Sequence, residues 1–212
     1  MLARMAPDPA LKEAVRAAAR RAREAKTMTV TSEAGSDLTV DMTGAQTVGV
    51  WGWTDRPGTL AHWPGGIVVS FPRAGTIAGR LVLSPGDMNL TYKRYVEGPV
   101  ALTLTDDRIT AIEGAGVDAR LMRDTLAAWG DPDAYAVSHV GWGLNPAARW
   151  DALTMMDKVD TNGTELRAVP GNFLFSTGAN EFAGRYTAGH FDLPMMNCTI
   201  TLDDEPVVQE GR

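Results

Sequence analysis

Short runs of β-branched and apolar residues, separated by glycine and proline, occupy most of the chain after residue 26 and constrain its fold most strongly. They include TMTVTSE, DLTVDMT, GGIVVSFP, VALTLTDD and NCTITL. Such residues favour extended strands, whereas glycine and proline interrupt strands and form turns. The runs do not alternate regularly with helices, so a doubly wound parallel sheet is not expected. The stretches TDDR and LDDEP are predicted to be the turns of two hairpins.

Two segments show helical spacing instead. Small apolar residues recur along one side of residues 10–26, and basic residues cover the other side. We predict a solvated helix there rather than a membrane-bound one, because its apolar stripe is mostly alanine. A second helix is predicted over residues 117–129. The fold class predicted is therefore α+β, a β-rich domain with two main helices and a mixed or antiparallel sheet that could close into a barrel.

Length and charge limit the classes of function. The chain has 212 residues, of which 44% are hydrophobic, so one domain with a sizeable core is possible. Its net charge is −6 and its isoelectric point is about 5.1. A dedicated nucleic-acid binder usually carries a strongly basic face, so no nucleic-acid partner is expected. The composition favours a protein that handles small molecules.

The chain has a single cysteine, Cys198, and therefore no internal disulfide. We interpret it as a small buried hydrophobe on a strand. No apolar run approaches the roughly 18–20 residues that a membrane helix requires, and residues 1–26 lack the apolar region of a secretory signal. A cytoplasmic protein with no membrane partner is predicted.

His190 and Asp192 stand two residues apart in the stretch AGHFDLPM. Side chains two apart on a strand point to the same face, so an imidazole and a carboxylate would enter one cavity. His139, in SHVGWGLNP between small residues, is the candidate third member. Two histidines and one carboxylate hold Fe(II) in non-haem oxygenases, and the same set holds zinc in hydrolases. The alternative is that these are satisfied core histidines, and spacing alone leaves the choice open.

The third histidine, His62, lies in LAHWPGG before a predicted strand. It is a candidate for orienting a substrate or moving a proton, since histidine titrates near neutral pH, and it could equally be a loop residue that caps the backbone. Trp63, Trp142 and Phe191 could form the walls of a site for a flat ring, or could be core residues. The chain contains no G-x-S-x-G, H-E-x-x-H or G-x-x-x-x-G-K-[ST] motif, which are typical of other enzyme classes.

Three stretches, HWPGGIVVSFPRAGTIAGRLVL, SHVGWGLNPAARWD and AGHFDLPM, together resemble the C-terminal part of the 2,5-dihydroxypyridine 5,6-dioxygenases. That family is related in fold to the M29 thermophilic-type aminopeptidases. The resemblance implies Fe(II) as the cofactor, held by His139, His190 and Asp192, with His62 in the substrate pocket. It implies ring opening of a hydroxylated pyridine by O₂, so the partners would be a small N-heteroaromatic molecule and O₂.

An M29-like metallo-aminopeptidase is the alternative. Those enzymes bind two metal ions, and the family pattern has glutamates at the positions of His139 and Ile67. A histidine would also be expected near Arg149 and Trp150. Loss of these groups removes the ligands of a second metal, which a two-metal hydrolysis needs. The resemblance therefore favours the single-metal dioxygenase.

Members of the dioxygenase family are longer than this chain. The resemblance thus divides the chain into residues 1–26, a helix left from a larger N-terminal region, and residues 27–212, the metal-binding catalytic domain. Two consequences are predicted. The chain could be an inactive or partner-dependent fragment, and it is expected to form a homo-oligomer that covers apolar surface.

Overall fold

A computed structural model describes residues 3–212 of the chain. Helix α1 (Pro9–Glu24) begins after Asp8, whose Oδ1 accepts a hydrogen bond from the backbone N–H of Ala10. This is a typical N-cap, and proline is favoured at the first helical position because it has no N–H that needs a partner. The helix predicted over residues 10–26 is confirmed. Its small apolar stripe is buried against the protein and consists of Leu11, Val15, Ala19 and Ala22.

Fourteen strands lie in the described residues, and every neighbouring pair is antiparallel. In chain order they are β1 (Thr27–Ser32), β2 (Asp37–Asp41), β3 (Gln46–Val50), β4 (Ile67–Phe71), β5 (Ile77–Leu83), β6 (Met88–Asn89), β7 (Arg94–Tyr95), β8 (Val100–Thr105), β9 (Arg108–Glu113), β10 (Val137–Gly143), β11 (Phe173–Thr177), β12 (Phe191–Met195), β13 (Cys198–Leu202) and β14 (Glu205–Val208).

Seven of these strands form one sheet, in the order β14-β13-β1-β2-β5-β8-β9. Burial alternates along β2 and β13, as the period of two predicts. The turn before β9 contains Asp106 and Asp107 at φ of 49° and 60°, and the turn before β14 contains Asp203 and Asp204 at 49° and 68°. Two successive residues with positive φ match the twist of hairpin strands. Both predicted hairpin turns are confirmed.

A second sheet has five strands in the order β12-β11-β10-β4-β3, and β6 and β7 form a small third sheet. Helix α1 packs on β3 and β4 of the five-stranded sheet. All residues of β11 and β12 are buried. Because β10, β11 and β12 are neighbours, residues far apart in the sequence come together in the middle of this sheet.

Helix α2 (Val117–Trp129) has the predicted bounds and ends at Gly130, whose φ of 63° gives the left-handed conformation that terminates many helices. Two further helices, α3 (Ala152–Met155) and α4 (Thr164–Arg167), have four residues each. Segments this short carry no readable helical period, and the sequence did not predict them.

The predicted α+β class, with antiparallel sheets and two long helices, is confirmed. A closed barrel is not formed by residues 3–212, and that part of the prediction is wrong. Closure would require the two end strands of a sheet to pair with each other. Here β14 and β9 end the larger sheet, β12 and β3 end the smaller one, and neither pair is hydrogen-bonded together.

No helix within residues 3–212 combines the length and the apolar character that crossing a bilayer requires. The buried residues of α1 belong to the same hydrophobic core as those of both large sheets. The division of the chain near residue 26 stays a prediction.

Replacement of Gly141 by alanine is expected to destabilise the protein by about 3 kcal/mol, as overpacking in a core does. A Cβ at Gly141 would lie 1.9 Å from the carbonyl oxygen of Val68 on β4, so the two strands would have to move apart. Urea unfolding followed by circular dichroism measures the change. Gly98→Ala is the matched control, because a Cβ there meets no atom within 4 Å. Equal stability of the two variants would contradict this account.

Candidate functional site

Three neighbouring strands place a polar row across the five-stranded sheet. His139 of β10 is opposite Ser176 of β11, and Ser176 is opposite Asp192 of β12. His190 lies one residue before β12 and two residues from Asp192, so both side chains project from the same face. A register shift occurs in β10 between Val137 and His139. The fold thus brings His139, His190 and Asp192 together, although His139 is about fifty residues from the other two in the chain.

The two imidazoles face the carboxylate with the same ring nitrogen. His139 Nε2 lies 3.6 Å from Asp192 Oδ1, and His190 Nε2 lies 3.1 Å from Asp192 Oδ2. The ring centroids of the two histidines are 6.1 Å apart. Asp192 is 3% exposed, so the carboxylate lies at the bottom of this group.

The other ring nitrogen of each histidine, Nδ1, forms a hydrogen bond that shows where the ring proton lies. His190 Nδ1 lies 2.8 Å from the carbonyl oxygen of Thr177, which can only accept, so Nδ1 carries the proton. The Ser138 hydroxyl donates to the carbonyl oxygen of Ala179 and lies 3.1 Å from His139 Nδ1, so it accepts from that nitrogen. Both histidines therefore point their second ring nitrogen, Nε2, at Asp192. Each Nε2 can bind a metal when it carries no proton.

Burial and neighbouring charges shift all three pKa values. Burial lowers the pKa of His139 to about 4, even though Asp192 favours its charged form. Burial acts in the same direction on His190, but the hydrogen bond and charge of Asp192 outweigh it and raise the pKa of His190. For Asp192, burial is outweighed by the hydrogen bond from His190 and the charge of Arg167, which hold the pKa of the carboxyl well below its usual range. In the metal-free protein His139 is neutral near pH 7, and Asp192 is ionised.

Metal-free protein provides a direct test of this charge distribution. We expect histidine NMR signals to show His190 titrating above its ordinary pKa and His139 staying neutral down to about pH 4. Asp192→Asn removes the charge that favours protonated His190, so the pKa of His190 should fall. An unchanged His190 titration in that variant would contradict the assigned pairing.

Arg167 and Ser176 belong to this site and were not predicted from the sequence. The Arg167 guanidinium Nη2 lies 2.5 Å from Asp192 Oδ2. The Ser176 hydroxyl donates to Asp192 Oδ1 and lies 3.0 Å from His139 Nε2. Arg167 is the last residue of the four-residue helix α4, and Ser176 lies in an apolar strand. Neither position carries a motif, so no sequence signal pointed to them.

A cavity of about 260 Å³ lies at the His139 end of the polar row. Its polar lining residues include His62, His139 and Arg167, and apolar side chains of β3, β4 and β11 form most of the rest. The ring of Phe71 packs on the ring of His139, with centroids 5.4 Å apart. The cavity combines an apolar wall with a few converging polar groups, as small-molecule sites do.

The remaining candidates divide between this cavity and the core. His62 lines the same cavity as His139, so all four predicted site residues lie in or beside one site. Trp142 and Phe191 are buried in the core at 1% and 0% exposure, and they do not wall the cavity. Cys198 is fully buried on β13, and burial raises the pKa of its thiol to about 12. The interpretation of Cys198 as a core residue is confirmed.

The distances between the donor atoms of His139, His190 and Asp192 show whether these residues could bind a metal ion together. In the described part of the chain, no three His, Cys, Asp or Glu side chains are already grouped as a metal cage. However, adjacent ligands with bonds of about 2.1 Å lie about 3 Å apart when the bonds are perpendicular. The distances of 3.1 and 3.6 Å are close to this value. Two imidazole Nε2 atoms beside one carboxylate therefore fit a divalent metal, once His190 Nε2 is unprotonated.

Fold and site together define an α+β protein of antiparallel sheets with a histidine–carboxylate cluster at the base of an apolar cavity. Comparison with known proteins then identifies its family. All of residues 1–212 match the sequence profile of NicX, 2,5-dihydroxypyridine 5,6-dioxygenase. The chain belongs to this family, and the resemblance found in the sequence is confirmed.

Two similar proteins come from Pseudomonas putida KT2440. The chain is 40% identical to its 2,5-dihydroxypyridine 5,6-dioxygenase over 213 residues, which is 100% of this chain and 61% of that protein. The solved structure of 2,5-dihydroxypyridine dioxygenase from the same strain has a TM-score of 0.95 at 39% identity. That similarity covers 99% of this chain and 60% of the other. The chain thus spans about three-fifths of the length of these relatives.

The fold is also shared with wild-type AmpT from Thermus thermophilus. That structure has a TM-score of 0.66 at 18% identity and covers 99% of this chain and 56% of AmpT. At this identity the likeness concerns the fold alone. The predicted relation in fold to the M29 aminopeptidases is confirmed.

Proposed function

We propose that this chain carries the metal and substrate site of a non-haem Fe(II) dioxygenase that opens the ring of a hydroxylated pyridine, such as 2,5-dihydroxypyridine. The observation that supports this most directly is the convergence of two imidazole Nε2 atoms on the buried Asp192 carboxylate. Membership of the NicX family supports the choice of reaction.

His139, His190 and Asp192 would hold the iron, since two histidines and one carboxylate leave coordination positions open. When bound, Fe(II) supplies the redox chemistry that allows O₂ to react with the ring. Ser138 and the Thr177 carbonyl hold the two imidazoles through Nδ1, so both rings are oriented before any metal arrives. The extradiol type of ring opening is part of the same proposal.

The side chains around the cluster would bind and orient the substrate. The Arg167 side chain lines the cavity. Its buried Nε atom has no hydrogen-bond partner within residues 3–212. A guanidinium binds an ionised hydroxyl or ring oxygen through charge-assisted hydrogen bonds. His62, on another side of the cavity, would orient the ring or move a proton. The apolar wall, which includes Phe71, would pack on the flat ring and exclude water.

A two-metal aminopeptidase reaction is less well supported. Ile67 lines the apolar wall where a second-metal glutamate would be needed. Arg149 pairs with Asp151, and the Trp150 indole N–H donates to the Gly86 carbonyl. These groups offer no ligand to a second metal.

One experiment tests the proposal against its alternatives. Purified metal-free protein is titrated anaerobically with Fe(II), and O₂ uptake is then measured with 2,5-dihydroxypyridine. We expect one iron per chain and uptake that depends on the substrate, with Zn(II) as the control metal that binds without supporting uptake. Release of a chromophore from a leucine amide with Co²⁺ or Zn²⁺, and no O₂ uptake, would favour the aminopeptidase. Iron binding without either activity would identify a fragment that needs a partner.

We also propose that the protein acts in the cytoplasm as a homo-oligomer, with no nucleic-acid or membrane partner. Two exposed apolar side chains near the cavity support a contact between copies of this chain. Leu60 is 85% exposed and Val48 is 44% exposed, and a second subunit could cover both. Light scattering after size-exclusion chromatography measures the assembly, and a monomer at all concentrations would contradict it.

A further inference from the structure

We propose that Arg4 is a positioning residue, through which the N-terminal segment (residues 3–8) holds the two sides of the cavity in register. Arg167 on α4 and His62 on the loop before β4 both line the cavity, and the two parts of the lining that carry them are its two sides. The expected effect of Arg4 on substrate binding rests on the proposed function. Its role in holding the two parts of the cavity together does not depend on that function.

The first contact joins the N-terminal segment to α4. The Arg4 guanidinium Nη1 donates to Oε1 of Glu165 and to the carbonyl oxygen of Ala147. Glu165 is 2% exposed and lies two residues before Arg167 in the same short helix. Its Oε1 also accepts from the backbone N–H of Arg149, at 3.1 Å. A buried carboxylate requires a charged partner, and Arg4 supplies it.

The second contact joins the same segment to the His62 side. The carbonyl oxygen of Met5 accepts a hydrogen bond of 3.1 Å from the indole N–H of Trp63, the residue that follows His62. The Met5 side chain is 3% exposed, so this part of the segment is packed into the protein. Consecutive residues, Arg4 and Met5, therefore bind both sides of the cavity.

Helix α4 depends on such contacts for its position. A helix of four residues is far below the length at which a helix is stable by itself. Arg167 contacts Asp192 from the end of that helix, so a small shift of α4 would move the guanidinium within the cavity. Displacement of a binding group by about 1 Å is enough to cost up to about 100-fold in rate. The iron ligands lie on or beside β10 and β12 and would not move with it.

The test compares Arg4→Ala with Arg4→Lys and with Arg16→Ala. Arg16 is an exposed arginine of α1 whose charged partner within residues 3–212 is Glu13, so its loss changes the net charge equally without touching either side of the cavity. For Arg4→Ala we expect the KM for 2,5-dihydroxypyridine to rise about tenfold, with Fe(II) affinity retained or strengthened, because a displaced Arg167 competes less with the metal for Asp192 Oδ2. Arg4→Lys keeps the charge and should restore most of the loss, and Arg16→Ala should match the wild type.

A double variant shows whether Arg4 acts through Arg167. In an Arg167→Met background, the further change of Arg4 to alanine should leave the KM unaltered, because the group it positions is gone. A tenfold rise in that background as well would overturn the proposal, as would an unaltered KM in Arg4→Ala alone.

Hydrogen exchange provides a readout that needs neither iron nor turnover. In metal-free Arg4→Ala protein, amide exchange in residues 163–168 and 60–66 should become about tenfold faster than in Arg16→Ala, because local opening costs less. If the wild type shows no O₂ uptake, the proposed function fails while this measurement still decides the role of Arg4. Identical exchange in the two variants would overturn it.

Discussion

Replacement of Asp192 by asparagine is expected to weaken the proposed Fe(II) binding and to lower the proposed ring-opening turnover by more than about 100-fold. Loss of a group that only supports a metal ligand costs up to about 100-fold, and loss of a ligand itself should cost more. The carboxylate faces both imidazole Nε2 atoms, Oδ1 towards His139 and Oδ2 towards His190. Asparagine keeps the shape of the side chain but removes the charge that offsets His190 and Arg167. Anaerobic Fe(II) titration and O₂ uptake measure the two effects.

Asp87→Asn is the matched control for that change. Asp87 is a carboxylate of equal burial, at 3% exposure, and its hydrogen-bond donors within residues 3–212 are the backbone N–H groups of Ser84 and Met196. Iron affinity should therefore be unaffected in the control. His139→Ala extends the test to the proposed ligand on strand β10. A His139→Ala protein that binds one iron as tightly as the wild type would remove His139 from the proposed set.

Replacement of Arg167 by methionine is expected to raise the KM for the proposed substrate, 2,5-dihydroxypyridine, by about 10- to 100-fold. This factor corresponds to the loss of one charge-assisted hydrogen bond. Methionine retains much of the apolar stem and lacks the guanidinium. Iron binding should be retained or strengthened, because Arg167 Nη2 and the metal compete for Asp192 Oδ2. Substrate-dependent O₂ uptake measures KM, and anaerobic titration measures affinity for iron.

Arg108→Met provides the comparison for that variant. Arg108 is a partly exposed arginine with a carboxylate partner, Asp133, at 2.8 Å, and it lies outside the cavity. Its loss should leave both KM and iron affinity as in the wild type. If Arg167→Met lost iron as completely as Asp192→Asn, Arg167 would be a structural counter-ion rather than a substrate-binding group.

The comparison of sequence and structure shows which features are local. The hairpin turns at Asp106–Asp107 and Asp203–Asp204, and helix α2 with both of its ends, follow from residue types within a few positions of each other. The shared face of His190 and Asp192 follows from the period of two along a strand. Each of these was predictable because the physical cause lies inside the element itself.

The residues around the cluster show which features are not local. Arg167 reaches Asp192 from a helix of four residues, and Ser176 stands between His139 and Asp192 only because β11 lies between β10 and β12. Trp142 and Phe191, two candidates for a ring-binding wall, point into the core instead. Which face of the sheet the Trp142 and Phe191 side chains occupy depends on the elements that pack against each face.

By itself, the sequence determined the longer strands, the hairpin turns, the two long helices and the pairing of one imidazole with one carboxylate, since dihedral preferences and side-chain period act over short distances. The scarcity of histidines made His139 and His62 candidates, and the likeness to a known family favoured their roles at one site. The tertiary structure alone decided the order of strands, the absence of a barrel in the described residues, and the presence of Arg167 and Ser176 at the site. Strand order and register depend on the burial of whole faces, which no short stretch of sequence encodes.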